Sequence, residues 1–532
     1  MRKQPTKVKN KGKQMRILLQ ATTWTYGLFS GLWSSLRARG HEVFCDFALP
    51  NHEAYFRRQN GVEGESSIVG TCRSWMAQNL RAPAPGEVAK LEQRLNLRLP
   101  QAWTADVFHI KFGVLPRRSA VLQREFFERC FVTCAEYYER VLDATKPEVV
   151  LFEGPNGFTD KVLFAVATAR GIPALNFQGG LTERKVMLSY GPQFRNLLFE
   201  KLFSDNERLP AEAVVMARDY ITSLRTFAVK EAYYTRNMGR RSSWSFGSGV
   251  HLITKLARGA VRTVRPLSSE EQRWRHLMWM TDNMHRPLHS IERRRNEHYV
   301  LRNACESITD EDFAAFYLHF QPEANTSAQA PYFINQGSIC EAIAISLPND
   351  VLLSVKEHKI SIGDRGSAYF KDLLLYPNVR LISPFVSGVE LALKSRFVAT
   401  VTGTVGFEAI ALNKPVLIFG DAFYDICPWV HKVKNLEDLA SVVPRLCTLK
   451  VGNAGPEAEA EIERFFASYF ASLRGDCAEL ATEDAESFGR DQAGVDQIAA
   501  SLEYLLEAWL PLLPTAAANV GANLVSPEPI HV

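Results

Sequence analysis

Several absences narrow this 532-residue chain before any motif is read. It has no run of 18 or more apolar residues, so nothing in it reads as a membrane-spanning helix. Its nine cysteines (45, 72, 130, 134, 305, 340, 427, 447 and 477) include no CxxC pair. An odd, scattered set excludes a disulfide framework and a cysteine zinc site, and reads as reduced thiols in a cytosolic protein. Cys130 and Cys134 stand four apart, with no His or further Cys to complete a metal set. Excess charge is also scarce. The 62 Lys and Arg against 58 Asp and Glu leave +4, too little to imply a nucleic-acid partner. No DxD pair stands at a strand end, so no metal is expected. At 46% hydrophobic and 23% charged residues, the chain is globular and long enough for two domains.

What is present is most informative between Val398 and Gly420. An apolar strand, Phe397 to Val401, runs into Thr402-Gly403-Thr404-Val405-Gly406. A helix follows from about Phe407, then the turn Asn413-Lys414-Pro415, then a second apolar strand, Val416 to Phe419. This is a strand–turn–helix–strand unit of a parallel sheet. Its turn offers backbone N–H groups and two hydroxyls at a helix N-terminus, where unpaired amides and the helix dipole favour an anion. No Lys-Ser/Thr pair follows the second glycine, so it is not a P-loop. The expected ligand is the phosphate of a nucleotide-sugar rather than ATP.

The same rhythm recurs. Met15–Gln20, Leu28–Arg39 and His41–Asp46 form a βαβ opening. Residues Asn51 to about Leu115 read as an insertion or cover. A long helix, Ser119–Ala144, leads to the strand Glu148–Phe152, and a further helix to the strand Ile172–Phe177. The second α/β unit opens with a strand at Phe316–Phe320. The helix Tyr332–Leu347, the strands Val351–Lys356 and Val379–Ile382, and the helix Val389–Lys394 follow. The expected fold class is α/β: two doubly wound Rossmann-like domains facing a cleft, with a helical basic insertion and C-terminal helices. The divisions are a basic tail at 1–14, a first domain at 15–205 and a basic, Trp-bearing helical linker at 206–305. A nucleotide-sugar-binding domain follows at 306–445, then C-terminal helices at 446–513 and a disordered tail at 514–532. The basic leader lacks the apolar core of a signal peptide and reads as a solvated tail, with a membrane-surface tether as the alternative. Ser243 to Arg265 fits an amphipathic helix, although arginines on the wet face of packed helices give the same pattern.

The second domain carries further ordered signals. They are Tyr317-Leu318-His319-Phe320-Gln321-Pro322-Glu323, Leu347-Pro348, Val355-Lys356-Glu357-His358, Gly363-Asp364-Arg365, Tyr369 and Tyr376-Pro377-Asn378-Val379. Thr402–Ala409, Lys414-Pro415-Val416 and Phe419-Gly420 complete the set. Over about a quarter of the chain this resembles the bacterial capsule polysaccharide biosynthesis family, whose members include retaining β-Kdo transferases. The resemblance implies a GT-B fold and a metal-independent glycosyltransferase. It would be cytoplasmic or peripheral at the inner face of the membrane, using a nucleotide-sugar donor, with CMP-Kdo the first candidate, and no other cofactor. The implied partners are that donor, a saccharide or glycolipid acceptor, and the inner-membrane surface or a polysaccharide assembly complex.

By the same resemblance Gln321-Pro322 matches the family's QP motif and His358 the His of its HP motif. Lys359 replaces the Pro, which leaves the backbone after His358 less restrained. His358 or Lys356 would neutralise a phosphate leaving group, with Lys359 a further cation; a structural histidine at a strand end is the alternative reading of His358. Thr402, Gly403, Thr404 and Gly406 would contact phosphate, and Glu408 the ribose, with a helix-start charge as its alternative reading. On the acceptor side, ligands bind outside the carboxyl ends of parallel strands. This makes Glu153 the first candidate for base or acid and Asp160 the second, although Asp160 equally suits a helix first turn. Gln178 would line the acceptor cleft, with Glu183 a weaker carboxylate candidate. Arg365 has the fork geometry for a sugar-acid carboxylate, with surface pairing to Asp364 or Asp372 as its alternative reading. A nucleotide-sugar 2-epimerase and a non-catalytic assembly or export factor are the alternatives left open.

Overall fold

The computed structural model describes residues 14–22, 25–62, 67–104, 124–180, 185–205, 208–227, 286–321, 326, 328–449, 455–475 and 492–513. The expected leader and C-terminal tails, the 243–265 amphipathic helix, Glu183 and the Pro322-Glu323 pair lie outside the described residues.

Two six-stranded sheets form the frame. The first contains β1 (Arg16–Ala21), β2 (Glu42–Phe47), β3 (Ile68–Thr71), β4 (Val149–Phe152), β5 (Ala174–Gly179) and β6 (Val186–Tyr190). Its order is β3-β2-β1-β4-β5-β6, parallel except for β6. The second contains β7 (Phe313–Tyr317), β8 (Leu352–Lys356), β9 (Val379–Ile382), β10 (Val398–Thr400), β11 (Val416–Ile418) and β12 (Val430–Lys432). It is wholly parallel, in the order β12-β11-β10-β7-β8-β9. Counted from its own first strand, the second sheet repeats the order of the first. This is the two-domain, Rossmann-like GT-B architecture that the sequence led us to expect. The central strands are almost unbroken apolar runs because helices cover both faces of a parallel sheet. β4, β8, β10 and β11 are buried at every position.

In each sheet the chain reverses its winding direction once, between β1 and β4 and between β7 and β10. Such a switch point leaves a crevice at the carboxyl ends of two adjacent strands, where ligands bind in doubly wound sheets. The fold thus designates two places, one per sheet.

The boundaries differ from expectation where the sequence signal is weak. The stretch read as cover holds β3 and helices at Pro50–Asn60, Cys72–Asn79 and Glu87–Leu95. β3 and β12 are short edge strands that lack a full alternating or apolar pattern. β7 ends at Tyr317 rather than Phe320, which moves His319 out of the strand and into its exit. The helix after β10 begins at Thr404 rather than Phe407, because Gly403 takes the extended N-cap conformation (φ −68°, ψ 151°).

The two halves share a core. Met187 and Phe199 pack with Ala213, Ala217, Ile221 and Leu224 of the helix Ala211–Arg225, with Phe407 and Tyr424, and with Phe465, Tyr469 and Phe470 of the helix Pro456–Ala471. Part of the segment expected as a basic linker is therefore built into the interior. The last helix, Gln492–Trp509, returns to the first sheet. Val495, Ile498, Leu502, Leu505, Leu506 and Trp509 recur at helical spacing and pack in the same core as Phe29, Leu32 and Leu36. Ser35 donates to Asp496 at 2.6 Å, and His41 and Arg39 meet Glu503 at 2.8 and 2.7 Å. Among the described residues no helix is long and apolar enough to cross a membrane.

Candidate functional site

At the second switch point, the exit of β7 and the exit of β10 are joined by one imidazole. His319 is buried, and its Nε2 accepts the Thr402 N–H at 3.1 Å and lies 3.0 Å from Thr400 Oγ1. Thr400 Oγ1 in turn accepts the Gly403 N–H at 3.2 Å. A ring that accepts at Nε2 is neutral and carries its hydrogen on Nδ1. Burial, reinforced by the His358 and Arg365 charges, lowers the His319 pKa to about 3. The His319 N–H is fixed by Gln336 Oε1 at 2.7 Å.

The glycines of the turn are required by close approach rather than by unusual backbone angles. A Cβ on Gly403 would stand 2.6 Å from Thr400 Oγ1, and one on Gly406 2.5 Å from the Tyr424 hydroxyl. That hydroxyl donates to the Gly403 carbonyl at 2.5 Å. Thr402 is buried while Thr404 is exposed. The Gly403 and Gly406 amides, both expected to meet phosphate, are thus spent inside the turn together with the Thr402 amide, that of Gly406 on the Gly403 carbonyl at 3.0 Å. The first-turn amides of Thr404 and Val405 have no acceptor within their own helix. Glu408 is half-buried in the same helix. With burial the larger cause, its charge raises the phenol pKa values of Tyr220, Tyr317 and Tyr424.

The exit of β8 completes this site. His358 caps the turn that follows it, its Nδ1 accepting the Ile360 N–H at 3.3 Å. Burial, with Arg365, Lys356 and Lys359 adding to it, lowers its pKa to about 4. The ring lies 6.3 Å from that of Phe320. Arg365 does not extend a free fork. It donates to Glu357 at 2.5 Å, to the His319 carbonyl, and to Gln321 Oε1 at 3.4 Å. Gln321 also donates to the Ile334 carbonyl at 2.9 Å. Lys356 is buried and donates to the Pro384 and Ser383 carbonyls at 2.6 and 3.3 Å. Arg365 and Lys356 therefore tie the exits of β7, β8 and β9 together. Glu357 Oε2, the Gln336 amide nitrogen and the Tyr369 hydroxyl are buried without a hydrogen-bond partner among the described residues. The helix Arg286–Asn303 clamps the loop from outside: Asn296 donates to the Gly363 carbonyl at 3.2 Å, and Arg293 to that of Ile362 at 3.1 Å.

At the first switch point, Thr22, beyond β1, donates to Glu153 Oε2, beyond β4, at 2.5 Å. Glu153 is partly buried, and burial raises its pKa, with a further push from Asp160 against the Thr22 hydrogen bond. Asp160 sits in the first turn of the helix Phe158–Ala169 and accepts from the Gly157 N–H at 3.2 Å and from the Gln20 amide at 3.3 Å. Gln178 is the penultimate residue of β5 and accepts from Ser189 of β6 at 3.3 Å, one strand away from this pair.

The structure thus brings Gln321, His358, Arg365, Thr402 and Gly403 together around His319. It brings Glu153 and Asp160 together in the other half. Sequence reasoning missed two residues. His319 lies within the Tyr317–Glu323 string that carries the family resemblance, but the pattern puts it in a strand, which hides its role in the turn. Asp46, the penultimate residue of β2, lies near this acidic edge, and a carboxylate so close to a strand end is one the rule that selected Glu153 also reaches. Among the described residues no group of three or more His, Cys, Asp or Glu side chains is placed to hold a metal.

The sequence model of the family described as capsule polysaccharide biosynthesis protein matches residues 335–435. The segment that carries the β8 exit, the TGTVG turn and the helix after it therefore bears that family's pattern. No curated protein matches the chain. Among solved structures, the chain is similar to the β-Kdo 2,4 transferase of Thermosulfurimonas dismutans KpsC, with 14% identity, 60% of this chain and 82% of that chain covered, and a TM-score of 0.32. The β-Kdo 2,7 transferase of the same protein gives 12%, 57% and 79%, and 0.31. The UDP complex of S. aureus MnaA gives 12%, 94% and 98%, and 0.28.

Proposed function

We propose that this protein is a glycosyltransferase of capsular or other surface polysaccharide assembly, moving a sugar from a nucleotide donor to a saccharide or glycolipid acceptor. One observation carries the reading. The family-matched segment contributes a glycine turn that His319 locks at the switch point of the second sheet, where a doubly wound domain binds its nucleotide. In this reading the Thr404 and Val405 amides and the positive end of their helix take the donor phosphate. His358, one strand away, stands ready to stabilise charge on the leaving nucleotide. With its pKa lowered, it does so by donating a hydrogen bond as a neutral imidazole. Glu153 supports acceptor activation, since a base must be ionised while close to the working pH. A CMP-activated sugar acid is the donor class we put first. Arg365 serves this function by holding the loop rather than by gripping the sugar. No particular contact in the structure favours the epimerase or scaffold alternatives.

The test is a transfer assay with CMP-, UDP- and GDP-sugars and a saccharide acceptor, read by mass analysis of the product. Donor-dependent mass gain in the acceptor, greatly reduced in His358→Asn, supports the proposal; Asn retains a side-chain acceptor for the Ile360 N–H. Conversion of a free UDP-sugar without acceptor would replace it with the epimerase reading. No turnover and no binding of any nucleotide would leave the scaffold reading in its place.

A further inference from the structure

Behind the Glu153 edge lies a buried polar trio that the proposed chemistry does not use. Gln20 and Asp46 are register partners across β1 and β2, so their side chains leave the same face of the sheet. That face packs on the helices Arg124–Thr145 and Phe158–Ala169, which supply Tyr137 and Asp160. Gln20 and Asp46 are both fully buried. Asp46 Oδ1 accepts from the Tyr137 hydroxyl, and the Gln20 amide nitrogen donates to Asp160 Oδ1. The two remaining oxygens, Gln20 Oε1 and Asp46 Oδ2, are buried and have no donor among the described residues. Two neighbouring acceptors without a donor are costly in an interior. A single proton gives both of them a partner.

We propose that Asp46 is a carboxylic acid in the native protein, donating from Oδ2 to Gln20 Oε1 and so aiming the Gln20 amide nitrogen at Asp160. The distribution of contacts says which carboxylate holds the proton. Asp160 accepts from the Gly157 N–H, the Gln20 amide and the Thr159 hydroxyl (3.3 Å) at a helix N-terminus, all of which favour its ionised form. Asp46 has the Tyr137 hydroxyl and the Phe47 N–H on its ionised form, fewer donors than Asp160, and the charges acting on it, Glu53 from the helix Pro50–Asn60 and Asp160, are both negative. Tyr137 and Tyr138 from the Arg124–Thr145 helix are the other titratable groups facing it, with Cys45 beside it on β2, and burial holds all three neutral. Burial, partly offset by the Tyr137 and Phe47 hydrogen bonds, raises Asp46 to about 8. Asp46 is thus a positioning residue: it fixes Gln20, Gln20 fixes Asp160, and the Asp160 charge acts on Glu153. That last consequence rests on the transferase reading, whereas the protonation does not.

The direct test compares the melting temperatures of the wild type and Asp46→Asn from about pH 6.5 to about pH 9. A native acid that the unfolded chain gives up near ~3.9 costs stability as pH rises through that interval and ceases to do so above about 8. Wild-type melting should therefore fall relative to Asp46→Asn up to about pH 8 and run parallel beyond it. A constant difference across the interval overturns the proposal. Infrared spectroscopy of the wild type needs no variant. A protonated-carboxyl band present at pH 7 and lost near pH 8 supports the proposal, and its absence at pH 7 refutes it. For the positioning role, Asp46→Ala should raise the acceptor KM several-fold with the donor KM unchanged. Asp46→Asn, whose amide still donates to Gln20, should restore it. Equal damage in both variants would overturn that role. A wild type without any transferase activity would defeat the transferase reading while the melting profile still decided the proton.

Discussion

His319 is worth more to the proposed site than its single imidazole suggests, because three backbone segments meet on it. Its neutral state is part of that arrangement, and acid removes it. The lowered pKa of His319, about 3, lies below the ~6.5 of an unfolded histidine. The unfolded chain therefore binds protons first as pH falls, and native stability declines from about 6.5 downward until about 3. His358 and His52, both lowered to about 4 by burial first, act in the same sense. Melting followed from pH 7.5 to 5 should show this decline, and His319→Gln should shrink it. Gly403 is the second pressure point. Its missing side chain lets Thr400 and His319 close on the turn, so Gly403→Ala forces a shift costing about 1–3 kcal/mol. Nucleotide binding measured by calorimetry should weaken more than ten-fold while circular dichroism stays native. Neither effect was legible in the sequence. A glycine turn was visible, but its histidine partner is 83 residues away, and strand assignment had claimed it.

At the scale of elements, what sequence shows well is the apolar run of a buried parallel strand and the turn that ends it. β1, β4, β8, β9 and β10 were all recognised within a few residues on that basis, and the carboxylate at the end of β4 followed from the strand-end rule. What it shows badly is the edge. β3 and β12 are held by neighbours more than by pattern, and β6 pairs antiparallel with β5. The chemistry of helix starts was half legible: Asp160 was read as either functional or a first-turn acid, and its bond to the Gly157 N–H gives it the first-turn geometry. Both roles bear on Glu153, whose pKa is raised by burial and then by Asp160. Asp160→Asn removes one of these causes, so Glu153 should ionise at lower pH. The acid limb of kcat/KM should move to lower pH with the plateau retained. An unmoved limb would mean that Glu153 is not the titrating base.

For the whole molecule, composition foretold two α/β halves but not how the chain closes them. The last described helix belongs to the first sheet's core, although nearly five hundred residues of sequence separate them. Periodicity announces such a helix without saying what it covers. Trp509 is fully buried there, and Trp509→Ala should cost about 3–5 kcal/mol by cavity formation, measured by urea unfolding. The first half should lose more protection than the second. In the second half, the switch point between β7 and β10 is where we propose that the donor's phosphate binds. Hydrogen–deuterium exchange with and without a saturating CMP-sugar tests it most directly. Slowed exchange is expected at the Thr404 and Val405 amides and through the 358–365 loop, with the first-sheet strands unchanged. Binding that leaves those amides exchanging at their free rate, or protects only the β1–β4 edge, would contradict it.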